Sequence, residues 1–113
     1  MHIDHYSFGN ITIDGKSYSS DVIIFPDHVQ SSWWRVEGHL LQPADLKDVA
    51  AVRGSIVIIG TGYHGVMKVP AKTLEYLREK GIKAYVEKTH NAVELYNKMS
   101  SGKTVIAALH LTC

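Results

Sequence analysis

The chain has 113 residues, which is the length of one domain and enough to form a hydrophobic core without disulfide bridges. It carries 12 Lys and Arg against 11 Asp and Glu, so it lacks the strongly basic surface of proteins that bind nucleic acids or anionic membranes. No apolar run approaches the ~20 residues that cross a bilayer, and the first residues do not resemble a signal peptide. We therefore expect one cytoplasmic domain over residues 1–113, with no nucleic-acid or membrane partner.

The first part of the chain, residues 1–38, is rich in predicted strands. Apolar residues recur on both sides of Asp14-Gly15, a dipeptide that favours a tight hairpin turn because glycine adopts positive φ without steric cost. The stretch from Ser31 to His39 is interpreted as a further short strand. Neighbouring residues of a strand point to opposite faces, so Trp33 and Trp34 cannot both enter the same core. Either one packs inside while the other lies against a second layer, a pocket or a partner, or both cover a small core from two sides.

Residues 42–113 predict helices and strands in alternation. Helices are expected at Pro43 and at Pro70, because proline suits the first helical turn, and after Thr89 or Asn91, which can cap a helix. The apolar runs between these helices predict strands, and the first of them lacks polar alternation, so it is expected to be buried on both faces. Those strands are "SIVII" (55–59), "IKAYVE" (82–87) and "TVIAALHL" (104–111). This order predicts a largely parallel sheet covered by helices.

Three glycines follow the first of these strands in the spacing G-x-G-x-x-G, which is typical of dinucleotide-binding folds. In such a site a helix begins inside the glycine motif, and its first amide groups hold the pyrophosphate. Here Pro70 follows Gly65 by five residues, and proline inside a helix costs roughly 3 kcal/mol. We therefore expect the helix to begin at Pro70, and we predict no cofactor.

A second interpretation places a small-molecule or anion site in a crevice at the Gly60–Gly65 loop. Strand ends in parallel sheets form crevices, and the helix start near Pro70 offers free amide groups with lysines nearby. The candidate ligand-binding residues are Gly60, Thr61, Gly62, Tyr63, His64, Lys68 and Lys72.

The seven histidines and the single cysteine do not form a recognisable metal or catalytic motif. Neither C-x-x-C nor H-E-x-x-H occurs, so we predict no metal site. Cys113 cannot form an internal disulfide, and it is a candidate reactive thiol. No catalytic residue is assigned.

Several stretches together resemble the adipogenesis-associated MTH-type domain family. They are "QPADLKDV" (42–49), "VIIGTG" (57–62), "KVPAKTLEYLREKGI" (68–82), "THNAVELYN" (89–97) and "HLTC" (110–113). The resemblance implies a three-layer α/β domain, with a mixed central sheet of about five strands, helices on its faces and an N-terminal β-hairpin. It implies no reaction, and the family's best-understood branch, a mitochondrial assembly factor for respiratory complex I, acts by binding another protein.

The function predicted from the sequence is a non-catalytic protein-interaction or assembly module, with a ligand-binding protein or enzyme as the less favoured alternative. The predicted partner surface is Trp33, Trp34 and Arg35, because Trp and Arg are enriched at binding hot spots. The partner is expected to be another protein, and self-association is an open alternative.

Overall fold

The computed structural model describes residues 1–113, which form two sheets and three α-helices. The strands are β1 (Ile3–Ser7), β2 (Asn10–Ile13), β3 (Lys16–Tyr18), β4 (Val22–Ile24), β5 (Val29–Gln30), β6 (Ile56–Thr61), β7 (Lys83–Glu87) and β8 (Val105–His110). A 3-10 turn (Pro43–Leu46) leads into α1 (Lys47–Ala50), and α2 (Ala71–Glu79) and α3 (Thr89–Met99) complete the helices. No helix is long and apolar enough to cross a membrane.

The central sheet is mixed and has the order β5-β4-β8-β6-β7. Strand β6 runs parallel to both β7 and β8, whereas β4 is antiparallel to β8 and to β5. Strands β6 and β8 have buried residues almost throughout, as the apolar sequence of β6 predicted for that strand. The predicted α/β fold with a mixed five-stranded sheet is confirmed.

A hydrophobic core lies on each face of this sheet, which makes the domain three-layered. On one face, Val57 and Ile59 pack with Leu46 and Leu77 beneath the first two helices. On the other face, Ile58 packs with residues of α3 and of the N-terminal strands. The alternation of neighbouring β6 residues between the two cores follows from the two-residue period of a strand.

The N-terminal segment is a three-stranded antiparallel sheet, one strand more than the expected hairpin. Strands β2 and β3 form the predicted hairpin, with Asp14 and Gly15 at φ 48° and 81° in its turn. Strand β1 pairs with β2 and is joined to α3 by Asn97, whose amide bonds both the N–H and the C=O of Ile3 at 2.9 Å. The N-terminal sheet therefore covers the α3 side of the domain.

Two local expectations were wrong. Residues 31–38 do not form a strand, because Ser32 lies in the left-handed region at φ 54° and its N–H donates to Ser20 Oγ (2.8 Å) instead of to a sheet. Helix α3 begins at Thr89 itself with Lys88 at the capping position, so neither Thr89 nor Asn91 caps it. Helix α2 begins at Ala71 directly after Pro70, in agreement with the position predicted for it.

Candidate functional site

A cavity of about 330 Å³ opens between the start of β4, the end of β8 and the irregular segment 31–38. Asp21, Arg35 and His110 line it together with several serines and both tryptophans. Two hydrogen bonds bring segment 31–38 to this place: Trp33 N–H donates to Asp21 O (3.0 Å), and Val36 N–H donates to Asp45 Oδ1 (3.1 Å). The walls of the cavity therefore come from three separate parts of the sequence.

Arg35 is held in this cavity as a buried cation. Its side chain is only 4% exposed, and its guanidinium lies over the Trp33 ring at 4.7 Å from the ring centroid. Nε donates to Gly38 O (3.0 Å), and Nη2 donates to Asp21 Oδ2 (2.8 Å). Contacts on one face and along one edge thus fix the plane of the guanidinium.

Asp21 and His110 form the second part of this cluster. His110 Nδ1 lies 2.7 Å from Asp21 Oδ2, while Leu111 N–H donates to Asp21 Oδ1 at 2.7 Å. Burial favours a higher pKa for Asp21, but hydrogen bonds from His110, Leu111 N–H and Arg35 outweigh burial and hold the pKa below its ordinary value. Asp21 is therefore an ionised acceptor, and the proton of the imidazole lies on Nδ1.

Two nitrogens of this cluster are buried without a hydrogen-bond partner. They are Arg35 Nη1 and His110 Nε2, and no other buried side-chain nitrogen or oxygen of the chain shares this property. Buried polar groups are nearly always paired, so each exception requires an explanation. Both belong to residues that line the same cavity.

The predicted partner surface separates into inward and outward residues. Trp33 is 4% exposed, and its Nε1 donates to Asp45 O (3.2 Å), whereas Trp34 is 84% exposed. Trp33 therefore packs inside while Trp34 lines the cavity with most of its surface exposed, so the two do not cover one core from both sides, and the segment is not a strand. Arg35 lies inside, so Trp34 and the neighbouring Val36, 75% exposed, are the large hydrophobic residues that this segment exposes.

The glycine loop is filled by other parts of the chain. At Gly60, an added Cβ would lie 2.7 Å from Thr89 Oγ1, and at Gly62, with φ 111°, it would lie 2.4 Å from the Thr112 O and Cys113 C atoms. Gly62 N–H donates to Thr89 Oγ1 (2.8 Å), and Tyr63 N–H donates to Thr112 O (2.9 Å). The first two glycines of the motif therefore permit close packing against α3 and the C-terminal residues.

The residues predicted for a ligand crevice are divided between buried and exposed positions. Thr61 is buried and donates to Glu87 O (3.2 Å), while Tyr63, His64, Lys68 and Lys72 are exposed. None of the predicted ligand residues lines any of the three cavities. Ligand binding at this loop stays a prediction.

Cys113 is partly exposed and unpaired, and its backbone O accepts a hydrogen bond from Val66 N–H (2.9 Å). The reactivity of its thiol also stays a prediction. No group of three or more His, Cys, Asp or Glu side chains is arranged to hold a metal ion.

Sequence reasoning assigned no role to Asp21 or to His110. In sequence, Asp21 resembles any polar residue before a buried strand, and His110 lies at the end of an apolar run. Their separation of 89 residues leaves no local pattern to connect them.

One protein family, described as "Protein of unknown function (DUF498/DUF598)", matches residues 3–110 by its sequence pattern. The chain belongs to this family. A Xenopus tropicalis relative, "NADH dehydrogenase (ubiquinone) 1 alpha subcomplex assembly factor 3", is 26% identical over 111 residues, which are 96% of this chain and 59% of the relative. The chain thus spans about three fifths of the length of that curated relative.

Solved structures of this family type share the fold. A conserved hypothetical protein from Pyrococcus horikoshii OT3 is 23% identical and superposes with a TM-score of 0.87, covering 100% of both chains. A Bordetella pertussis protein described as an Mth938-like domain is 20% identical, with a TM-score of 0.70 over 97% of this chain and 85% of its own. The resemblance to the MTH-type domain family is confirmed.

Proposed function

We propose that this protein is a non-catalytic protein-interaction module that serves in the assembly of other proteins, and that Trp34 is the main contact residue. The observation that carries this proposal is the 84% exposure of the Trp34 side chain. A large aromatic side chain left in water is a source of binding free energy, since burying an apolar side chain of this size contributes roughly 1.5–3 kcal/mol. Tryptophan is also among the residues most enriched at binding hot spots.

The backbone around Trp34 is held in place before any partner arrives. Trp33 anchors the segment in the core on one side, and Val36 N–H is bonded to Asp45 on the other. The start of the segment is fixed by two hydrogen bonds, from Ser32 N–H to Ser20 Oγ and from Trp33 N–H to Asp21 O. A fixed loop loses little conformational entropy on binding, which favours affinity.

The Xenopus tropicalis relative supports the same class of function, because its name describes an assembly factor. An assembly role requires binding to another protein and does not require a reaction. By analogy we propose a protein partner for this chain, while its cytoplasmic location stays a prediction to be checked by cell fractionation.

The test compares three immobilised proteins: wild type, Trp34→Ala and Phe8→Ala. Phe8 is a matched control, because it is another large hydrophobic residue with 53% of its surface exposed. We expect the immobilised wild type and Phe8→Ala to retain a partner protein. The affinity of Trp34→Ala for that partner should be about 30-fold lower, since a hot-spot residue contributes about 2 kcal/mol of binding free energy. Equal retention by all three proteins would contradict the proposal.

A further inference from the structure

The cavity beside Trp34 contains a fixed cation with unused hydrogen-bonding capacity. The guanidinium of Arg35 has one face on Trp33, and its Nε and Nη2 are used by Gly38 and Asp21. Its Nη1 remains buried and unpartnered. A buried donor without a partner is unfavourable, and an oxygen acceptor supplied by a ligand would remove that penalty.

His110 supplies a second nitrogen in the same state. Its Nδ1 is 2.7 Å from the ionised Asp21 carboxylate, which places a proton on Nδ1 and leaves Nε2 free. The other charged or titratable groups near this ring are Arg35, whose Nη2 is 3.0 Å from Nδ1, and His39, whose ring centroid is 5.7 Å away. Nε2 can therefore accept a hydrogen bond from an acid group of the ligand that carries a proton.

Hydroxyl groups complete the lining. Ser20 Oγ accepts the Ser32 N–H at 2.8 Å, so the hydrogen of its hydroxyl group is left to donate elsewhere. Ser19 and Ser32 also line the cavity. Arg guanidinium, imidazole and hydroxyl groups are the side chains that bind carboxylate and phosphate oxygens, and about 330 Å³ lies in the size range of small-molecule sites.

We infer that this cavity binds a small molecule through a carboxylate or phosphate group, held by Arg35 Nη1 and His110 Nε2. The site differs from the glycine-loop crevice predicted from the sequence and shares none of its residues. Trp34 belongs both to the cavity lining and to the proposed partner surface, so the two proposals share this residue. They rest on different groups, because the anion would be held by the buried Arg35 Nη1 and His110 Nε2 and the partner by the exposed Trp34 side chain.

The test is an NMR titration of the full chain with acetate, with inorganic phosphate and, as a control for ionic strength, with sodium chloride. We expect saturable shifts of the Arg35 and His110 side-chain nitrogen resonances with acetate, with phosphate or with both, and none with chloride. The responding anion identifies the group that the site prefers. No shift beyond the chloride control at roughly 100 mM, a hundred times a millimolar Kd, would overturn the inference.

Two variants locate the binding. Arg35→Lys keeps the charge but removes the fork of donors, and Arg78→Lys is its matched control on an arginine side chain that is 74% exposed. His110→Asn keeps a donor for Asp21 and removes Nε2, so it tests the site if Arg35→Lys fails to fold. Anion binding at least tenfold weaker in a folded variant supports the inference, and unchanged binding in both variants contradicts it. The effect of Trp34→Ala on retention of the partner protein is measured in a separate experiment, so either proposal can fail while the other holds.

Discussion

The carboxylate of Asp21 and the imidazole of His110, 89 residues apart in sequence, lie 2.7 Å apart between Oδ2 and Nδ1. Asp21 precedes β4 and His110 ends β8, and these two strands are antiparallel neighbours in the central sheet. Leu111 N–H and Arg35 Nη2 bond the same carboxylate. One side chain therefore joins the N-terminal part of the chain, segment 31–38 and the C-terminal strand.

Replacing Asp21 by Ala should lower the free energy of unfolding by roughly 3 kcal/mol, because it leaves the buried Arg35 charge without its counter-ion. The measurement is urea unfolding near neutral pH. Asp27→Ala is the matched control, since the Asp27 side chain is 85% exposed and its one ion pair, with His28, lies on the surface. Equal unfolding midpoints for the two variants would show that the Asp21 carboxylate does not stabilise the folded state through Arg35.

The stability contributed by Asp21 should depend on pH in one direction. Its pKa is lower in the folded protein than in the unfolded chain, so the folded state binds fewer protons as the carboxyl group titrates. This contribution is fully present above about pH 4 and is lost as the pH falls through the folded-state pKa. Unfolding of wild type and of Asp21→Asn between about pH 5 and pH 2 should show a stability difference that shrinks with acid. A difference that stays constant over this range would contradict the assignment.

Thr89 is the residue that joins the glycine loop to the end of β8. Its buried Oγ1 accepts Gly62 N–H at 2.8 Å and donates to His110 O at 2.6 Å. Thr89→Val has nearly the same shape but leaves both backbone groups unpaired, and we expect a loss of roughly 2–3 kcal/mol in unfolding free energy. Thr89→Ser retains the hydroxyl group and should be considerably more stable than Thr89→Val. Equal losses in the two variants would mean that packing, and not hydrogen bonding, governs this site.

Gly62 should tolerate substitution less well than Gly54, which also has a positive φ but lies in open space. Gly62→Ala places a Cβ 2.4 Å from the C-terminal backbone, whereas at Gly54, with φ 75°, nothing lies within 4 Å. Both variants bear the cost of a left-handed alanine, about 1–2 kcal/mol, and only Gly62→Ala also displaces Thr112 and Cys113. Urea unfolding should show a larger loss for Gly62→Ala. Equal losses would contradict the close approach.

The sequence predicted those features that depend on neighbouring residues. The apolar runs predicted β6 and β8, Asp14-Gly15 predicted its hairpin, and Pro70 predicted where α2 begins. Each of these signals lies within a few residues of the feature it predicts. The G-x-G-x-x-G spacing was correctly interpreted as lacking a helix inside it, because the proline limits the local backbone.

The parts that sequence reasoning missed depend on contacts between distant residues. The left-handed Ser32, at the start of a predicted strand that does not form, is bonded to Ser20. The hydroxyl group of Thr89 is bonded to Gly62 and His110 instead of capping its helix. Asp21 bonds Arg35 Nη2 and His110 Nδ1, while Arg35 Nη1 and His110 Nε2 remain unpartnered. Local patterns carry no information about such pairs.

Whether Trp34 contacts a partner protein can be measured most directly by photo-crosslinking in cells. A photoreactive benzoyl-phenylalanine replaces Trp34 in one protein and Phe8 in another, since both side chains are largely exposed. We predict that the photoreactive residue at position 34, and not the one at position 8, forms a discrete adduct with another protein. An excess of the wild-type protein should suppress this adduct, whereas an excess of the Trp34→Ala variant should not. No adduct from position 34, the same adducts from both positions, or an adduct with a second copy of this chain would contradict the proposed function.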